Sequence, residues 1–213
     1  MLIPVLFKIC TSLDRPLTQC YTFPHRKVVF IMQLEHGAPA EPRAEREQAV
    51  YRFLDQCSIP FTRVDHPPVH TMEDCLLADS ILQVEMCKNL FLCNSQKTKF
   101  YLLLLPGNKP FKTKIFSKLM GVSRLSFAPP EAMEALLHIS PGAVSPMGLV
   151  FDSAKDVTLV MDEDVGKMPL LGCHPNVNTS SIAFSMADFL NVFLPAAGHE
   201  VTFVSLPQSL ENE

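Results

Sequence analysis

No apolar run in this 213-residue chain approaches the ~20 residues that a helix needs to cross a bilayer. The longest, Phe100-Tyr101-Leu102-Leu103-Leu104-Leu105, has the length of a strand. Neither GxGxxG nor GxxxxGKS/T occurs, which withdraws support from the Gly-rich phosphate cradles of the Rossmann and P-loop kinds. CxxC is missing as well. Cys10, Cys20, Cys57, Cys75, Cys87, Cys93 and Cys173 form an odd, scattered set that supports neither a zinc ribbon nor a thioredoxin-like site, and a reducing cytoplasm is the simplest compartment for it. Internal repeats and low-complexity stretches are absent. A basic balance is lacking too: the formal charge of -4 argues against a general nucleic-acid coat protein.

What is present describes a globular chain. The 47% hydrophobic and 19% charged content suits one sizeable domain with a real core. The charge is unevenly placed. From Ser95 to Pro130 there is no Asp or Glu, while Lys97, Lys99, Lys109, Lys112, Lys114, Lys118 and Arg124 all fall there. A local basic face on an acidic body can hold a phosphate backbone; the plainer reading is a solvated helix face. Met1 to Ile31 is basic and shows no sustained period. We set residues 1–35 apart as an N-terminal extension, either a targeting segment or an upstream-start artefact with the functional chain beginning near Met32. Residues 36–206 form the domain, and 207–213 a frayed tail.

Within the domain, Ala49, Val50, Phe53 and Leu54 recur at helical spacing, so Arg43 to Gln56 is an amphipathic helix. Phe61 to Val64 reads as a short strand. Thr71 and Asp74 cap a helix to about Val84. Met86 to Cys93 and Phe100 to Leu105 read as paired strands about a polar turn. Helices are expected over Phe111 to Met120, stopping at Gly121, and from Pro129 to about His138. Leu149 to Phe151, Val157 to Met161, Ser181 to Phe184 and Val201 to Leu206 read as strands, and Ser185 caps a helix to about Leu194. Some consecutive strands are too close in sequence for parallel crossovers. The fold class is therefore α/β (α+β): one compact domain, a mixed parallel and antiparallel sheet with packed helices.

Several candidate chemistries weaken on inspection. His66 and His70 are four apart, but Pro67 and Pro68 forbid the helix that would align them on a metal, so both read as turn or surface residues. Cys173 and His174 are neighbours, and adjacent strand residues face opposite ways; a thiol hydrolase would need a second His, and Cys173 reads as packing. Ser145 stands in Val-Ser-Pro, not in a GxSxG elbow. Lys88 interrupts an apolar strand and is followed at once by Asn89. Such a Lys either snorkels at the strand edge or meets a phosphate, a carboxylate or an ester. Gly142 to Pro146 is a GxxxP loop whose N–H groups can face a developing oxyanion.

Five segments carry a resemblance in order and spacing: Arg63 to Thr71, Cys87-Lys88-Asn89-Leu90-Phe91-Leu92, Leu119 to Phe127, Gly142 to Leu149, and His174-Pro175-Asn176-Val177-Asn178-Thr179. From about Arg43 to Leu206 the chain resembles the prolyl-tRNA editing family, the YbaK-like superfamily that includes the editing insertion of bacterial prolyl-tRNA synthetases. Within it, the chain is most similar to the freestanding alanyl-tRNA(Pro) deacylases. The resemblance implies a trans-editing, metal-independent aminoacyl-tRNA hydrolase with no cofactor. Its substrate would be mischarged tRNA(Pro), above all Ala-tRNA(Pro), with prolyl-tRNA synthetase or other translation factors as further partners and no role at membranes or DNA. It implies catalytic roles for Lys88, Gly142, Ser145 and His174, and substrate contacts from Asn89, Ala143, Val144, Pro146, Gly172, Asn176 and Thr71. Lys112, Lys114, Lys118 and Arg124 would dock the tRNA. Two departures bear on the aminoacyl pocket: His70 stands where relatives commonly carry an aromatic residue, and Cys173 where they commonly have Phe. The alternative class is a non-catalytic tRNA- or synthetase-binding module with the same fold.

Overall fold

The computed structural model describes residues 18–23, 26–69, 72–85 and 87–209. β1 (Thr18–Phe23) and β2 (Arg26–Gln33) pair antiparallel as a two-stranded sheet of their own. The chain continues through β3 (Glu35–His36), α1 (Glu45–Gln56), β4 (Thr62–Asp65) and α2 (Met72–Leu82). Next come β5 (Cys87–Asn94), β6 (Phe100–Pro106), α3 (Thr113–Leu119), β7 (Leu125–Phe127) and α4 (Pro130–Leu137). β8 (Val157–Asp162), the single turn α5 (Glu163–Gly166), β9 (Leu170–Cys173) and β10 (Ser180–Ser185) follow. A helical stretch with a wide turn at Phe189–Phe193 then leads to β11 (Val201–Val204). Among the described residues no helix is long and apolar enough to cross a membrane.

Two further sheets organise the domain. The larger runs β11-β8-β6-β5-β7, parallel at β11/β8 and β8/β6 and antiparallel at β6/β5 and β5/β7. The smaller, β3-β4-β10-β9, is antiparallel throughout. The mixed sheet expected from strand spacing is thus present. β6 lies at its centre. Leu102 and Leu104 join the main core with Phe91, Leu159 and Met161, while Leu103 and Leu105 join a second cluster with Phe116, Leu125 and Val160. A strand covered on both faces has no polar side to show, which is why its sequence reads as an unbroken apolar run. Each fully buried Leu there contributes about 1.5–3 kcal/mol.

The main core fills the space between the sheets, where Leu171, Cys173, Ile182 and Phe184 of β9 and β10 meet the β5 and β6 side chains and Val50 and Leu54 of α1. On the other face of the small sheet, Ala78, Ile81 and Leu82 of α2 cover Val64 and Ala183; Met32, near the end of β2, is buried in the same cluster.

One expected strand is not a strand. Leu149 to Phe151 falls across a 3-10 turn, Pro146–Val150, and the residue that follows it. Pro146 has no N–H for a ladder, and Ser145 Oγ accepts from the Met147 N–H at 3.2 Å to start the turn. A Cβ on Gly148 would stand 2.8 Å from Leu137 Cβ, so the close approach to α4 requires glycine. Short apolar runs do not distinguish strand from helix by period. Ser185 caps its helix as expected, accepting from Ala187 N at 3.1 Å and Asp188 N at 3.3 Å. The Thr71 cap lies outside the described residues.

Candidate active site

The loop from Gly142 to Pro146 leaves α4 and is tied down at two points. Asn89 of β5 donates Nδ2 to the Val144 carbonyl at 3.0 Å, and Ser145 donates Oγ to the His174 carbonyl at 2.5 Å. Three segments distant in sequence are thereby joined: the Asn89 strand, the glycine loop and the end of β9. Gly142 is exposed at φ +90, a left-handed conformation that side chains resist. Ala143 N–H is occupied by the Ser140 carbonyl at 3.1 Å. Among the described residues, the N–H groups of Gly142, Val144 and Ser145 have no protein partner. Ala143, Ser145 and Pro146 are buried and Val144 half-buried, so the loop is a fixed frame.

Two buried acceptors stand around this frame. The Oδ1 atoms of Asn89 and Asn176 have no hydrogen-bond partner among the described residues. Asn176 takes a left-handed φ of +62, which Asn tolerates, and its Nδ2 lies 3.4 Å from the Leu137 carbonyl. An orphaned buried oxygen costs about 1–3 kcal/mol unless a ligand or water satisfies it. Gly172 lies on β9 opposite Ala183, one strand residue from Cys173, and is buried. Asn178 holds the segment before α2, donating Nδ2 to the Val69 carbonyl at 3.0 Å. Thr71 and His70 lie outside the described residues.

His174 is 7% exposed, and its Nδ1 lies 2.9 Å from the Ser180 carbonyl. Its ring centroid is 5.8 Å from that of His66. The turn or surface position expected for His66 is therefore corrected: it is 3% exposed, with Nδ1 on the Pro67 carbonyl and Nε2 on Ser181 Oγ, both at 2.9 Å. Burial lowers the pKa of both rings, that of His174 to about 4 with His66 adding to the effect. Sequence reading missed His66 because the prolines exclude a helical metal pair. The one local signal was its place directly after the short strand that ends at Asp65. Just before it, Asp65 accepts from Arg43 at 2.5 Å and also from the buried Arg63, which reaches Glu35 as well.

Lys88 and Asn89 are consecutive on β5 and so leave it on opposite faces. Lys88 is half-buried and donates Nζ to the Lys109 carbonyl at 2.8 Å, so its ammonium is held at the turn after β6. An ammonium has three N–H donors, and this bond uses one. Lys109 departs from the basic run it belongs to in sequence. Its side chain is buried, with Nζ 2.8 and 2.9 Å from the Asp162 oxygens and 3.0 Å from Asp164. Lys112, Lys114, Lys118 and Arg124, in contrast, are exposed on α3 and its flanks, near exposed Leu119 and Phe127.

Cys173 is fully buried, and burial pushes its thiol far above the ordinary range, which removes it as a nucleophile. Cys87, also buried, is pushed up to about 12.

The comparisons agree with this architecture. A family model for the aminoacyl-tRNA editing domain matches residues 66–192. The chain is 29% identical over 162 residues to prolyl-tRNA editing protein ProX of Acetoanaerobium sticklandii, covering 76% of this chain and 98% of that one. It is 31% identical to prolyl-tRNA synthetase associated domain-containing protein 1 of Mus musculus, over 76% of this chain and 95% of that one. A solved structure described as a candidate trans-editing enzyme for prolyl tRNA synthetase superposes with a TM-score of 0.58 at 16% identity, over 78% of this chain and 100% of that one, and so shares the fold. On the family match and the mouse relative together, this chain belongs to the aminoacyl-tRNA editing domain family.

Proposed function

We propose that the chain is a trans-editing deacylase that hydrolyses mischarged tRNA(Pro), with Ala-tRNA(Pro) as the preferred substrate. As a member of its family it is an aminoacyl-tRNA hydrolase. The observation that carries the site is the pair of hydrogen bonds, Asn89 to Val144 and Ser145 to His174, which sets the unpartnered loop N–H groups beside His174. In this reading the Gly142 and Val144 N–H groups stabilise the oxyanion formed when water attacks the ester, and Ser145, wholly buried, holds the loop that carries them. One such donor is worth about 3 kcal/mol in other hydrolases. Asn89 and Asn176 offer their open Oδ1 atoms to substrate donors, with Gly172, Ala143, Pro146 and Thr71 bordering the aminoacyl group. Lys88, with two N–H groups to spare, leaves β5 on the face opposite Asn89 and holds the terminal nucleotide rather than the ester. Lys112, Lys114, Lys118 and Arg124 contact acceptor-stem phosphates, which position without reading sequence.

Alanine is the expected cargo on physical grounds. A synthetase pocket shaped for proline rejects a smaller side chain by only about 1–3 kcal/mol, so a second, smaller sieve is needed. Such a sieve works beside the synthetase in the cytoplasm. A panel of mischarged tRNA(Pro) species tests the reading: cleavage of the alanyl ester ahead of seryl, cysteinyl and prolyl esters supports it. Binding without turnover would make the chain a non-catalytic module.

A further inference from the structure

The face of the large sheet that carries Lys88 is only partly covered. Lys88, Leu90 and Leu92 alternate onto this face, and Phe127, directly opposite Leu92 on β7, shares it with them. Leu92 is wholly buried with Phe116 of α3, but Leu90 is half-buried and Phe127 is 59% exposed. The Phe127 ring lies 6.3 Å from that of half-buried Phe111. Phe111 stands two residues beyond Lys109, whose carbonyl holds the Lys88 ammonium. A strip of cationic, aliphatic and aromatic groups therefore runs from Lys88 to Phe127, about 13 Å along β5.

Along the chain this strip has a basic border. Lys112 follows Phe111 directly, Arg124 precedes Phe127 by three residues, and Lys114 and Lys118 are exposed on α3. From Ser95 to Pro130 there is no Asp or Glu. Exposed rings set among cations suit an unpaired nucleic-acid strand, whose bases stack on the rings while its phosphates meet the charges. Cations of one sign favour such a polyanion over a protein partner. The strip also leads to the site. β7 pairs with β5 only from Leu92 to Asn94, so at Lys88 and Asn89 no strand covers that edge among the described residues. A strand end arriving there can pass from the Lys88 face to the Asn89 face, where the glycine loop stands.

We propose that Phe127, backed by Phe111, is a stacking platform for an unpaired base near the 3′ end of the bound tRNA, upstream of the nucleotide held by Lys88. This rests on the reading that the chain acts on tRNA, and it adds a base contact to the phosphate contacts of the basic residues. A phenyl ring releases no counterion, so the platform contributes affinity without adding to the salt dependence.

The chain has no tryptophan, so Phe127→Trp places a single fluorescent indole on the strip. Uncharged tRNA(Pro) should quench it, and tRNA(Pro) trimmed of its unpaired 3′ nucleotides should not. Phe127→Ser and Phe127→Leu should each weaken tRNA binding about tenfold, the loss of one stacked base, with the slope against salt unchanged. Exposure of the ring keeps these changes out of the core. Phe127→Leu retains apolar bulk and loses the ring, so wild-type affinity in that variant overturns the proposal. Absent quenching, or quenching that survives trimming, overturns it as well. Quenching by prolyl-tRNA synthetase and not by tRNA does the same and makes the strip a protein interface. Turnover of alanyl-tRNA(Pro) is scored separately. Quenching without turnover keeps the platform and removes the deacylase reading; turnover without quenching does the reverse.

Discussion

Ser145 donates a 2.5 Å hydrogen bond to the main-chain carbonyl of His174, and neither the hydroxyl nor its residue has any exposure to solvent. The same oxygen accepts from Met147 N, so one small side chain caps a turn and ties the glycine loop to the end of β9. Ser145→Ala leaves a buried carbonyl unpaired and removes the cap. The expected loss is about 1–3 kcal/mol in denaturant unfolding, with a larger fall in kcat than in KM as the loop N–H groups lose their aim.

Asp162 is wholly buried and satisfies Lys109 Nζ together with the N–H groups of Asp164 and Leu206 at 3.0 Å each. Asp162→Ala leaves the buried ammonium with Asp164 alone and strands two N–H donors. About 3–5 kcal/mol should be lost, measured by urea unfolding. Lys88 should respond too, because its ammonium rests on the Lys109 carbonyl. Lys109→Met with Asp162→Leu removes both charges and should recover part of the stability, the N–H groups of Asp164 and Leu206 staying unpaired.

Stability should fall with acid in a defined window. His174 is held neutral by burial, with its pKa lowered from 6.5 to about 4, and His66 shifts the same way. Below about 6.5 the unfolded chain takes up a proton that the folded His174 refuses, so stability rises with pH across this range and is lost on going down to about 4. The His174 contribution amounts to up to ~3 kcal/mol. Thermal unfolding from pH 7.5 to 4.5 should show the decline, and His174→Gln should flatten part of it. A profile as steep in the variant as in wild type contradicts the assignment.

Charge reversal at Lys112 and Lys114, both exposed, should weaken tRNA binding and leave the fold intact. Each lost phosphate contact should reduce the slope of log K against log salt by about 0.7–0.9. Filter binding across a salt series reads this directly. An unchanged slope would return α3 to the role of a solvated helix.

The legible parts of this molecule were those where one local rule applies. β6 announced itself by length and apolarity, the end of α3 by Gly121 at φ +62, and the last helix by the Ser185 cap. The β5–β6 pairing followed from the polar turn between them. What stayed hidden depended on contacts between distant segments. His66 reads as a turn residue until β10 is placed beside β4, which brings Ser181 to its ring. Lys109 reads as one of seven basic residues in the run from Ser95 to Pro130 until α5 and β8 supply Asp164 and Asp162. Leu149 and Val150 look like strand because nothing local reports the approach of Leu137 to Gly148. The candidate site segments are legible by resemblance, and the structure supplies the bonds that join three of them, at Asn89, the Gly142 loop and His174.

Gly142→Ala should separate conformation from packing in the loop. At φ +90 an added Cβ meets nothing within 4 Å, so the cost is backbone strain alone. About 1 kcal/mol of stability and a fall in kcat are expected, and kinetics on the folded variant show whether the loop's path sets the rate.

The most direct trial is single-turnover cleavage of alanyl-tRNA(Pro) by wild type and by Lys88→Ala, each confirmed folded. Fast release of alanine by wild type, and its near-complete loss in Lys88→Ala with unfolding unchanged, is the predicted result. Release no faster than spontaneous hydrolysis, or a fully active Lys88→Ala, would contradict the account.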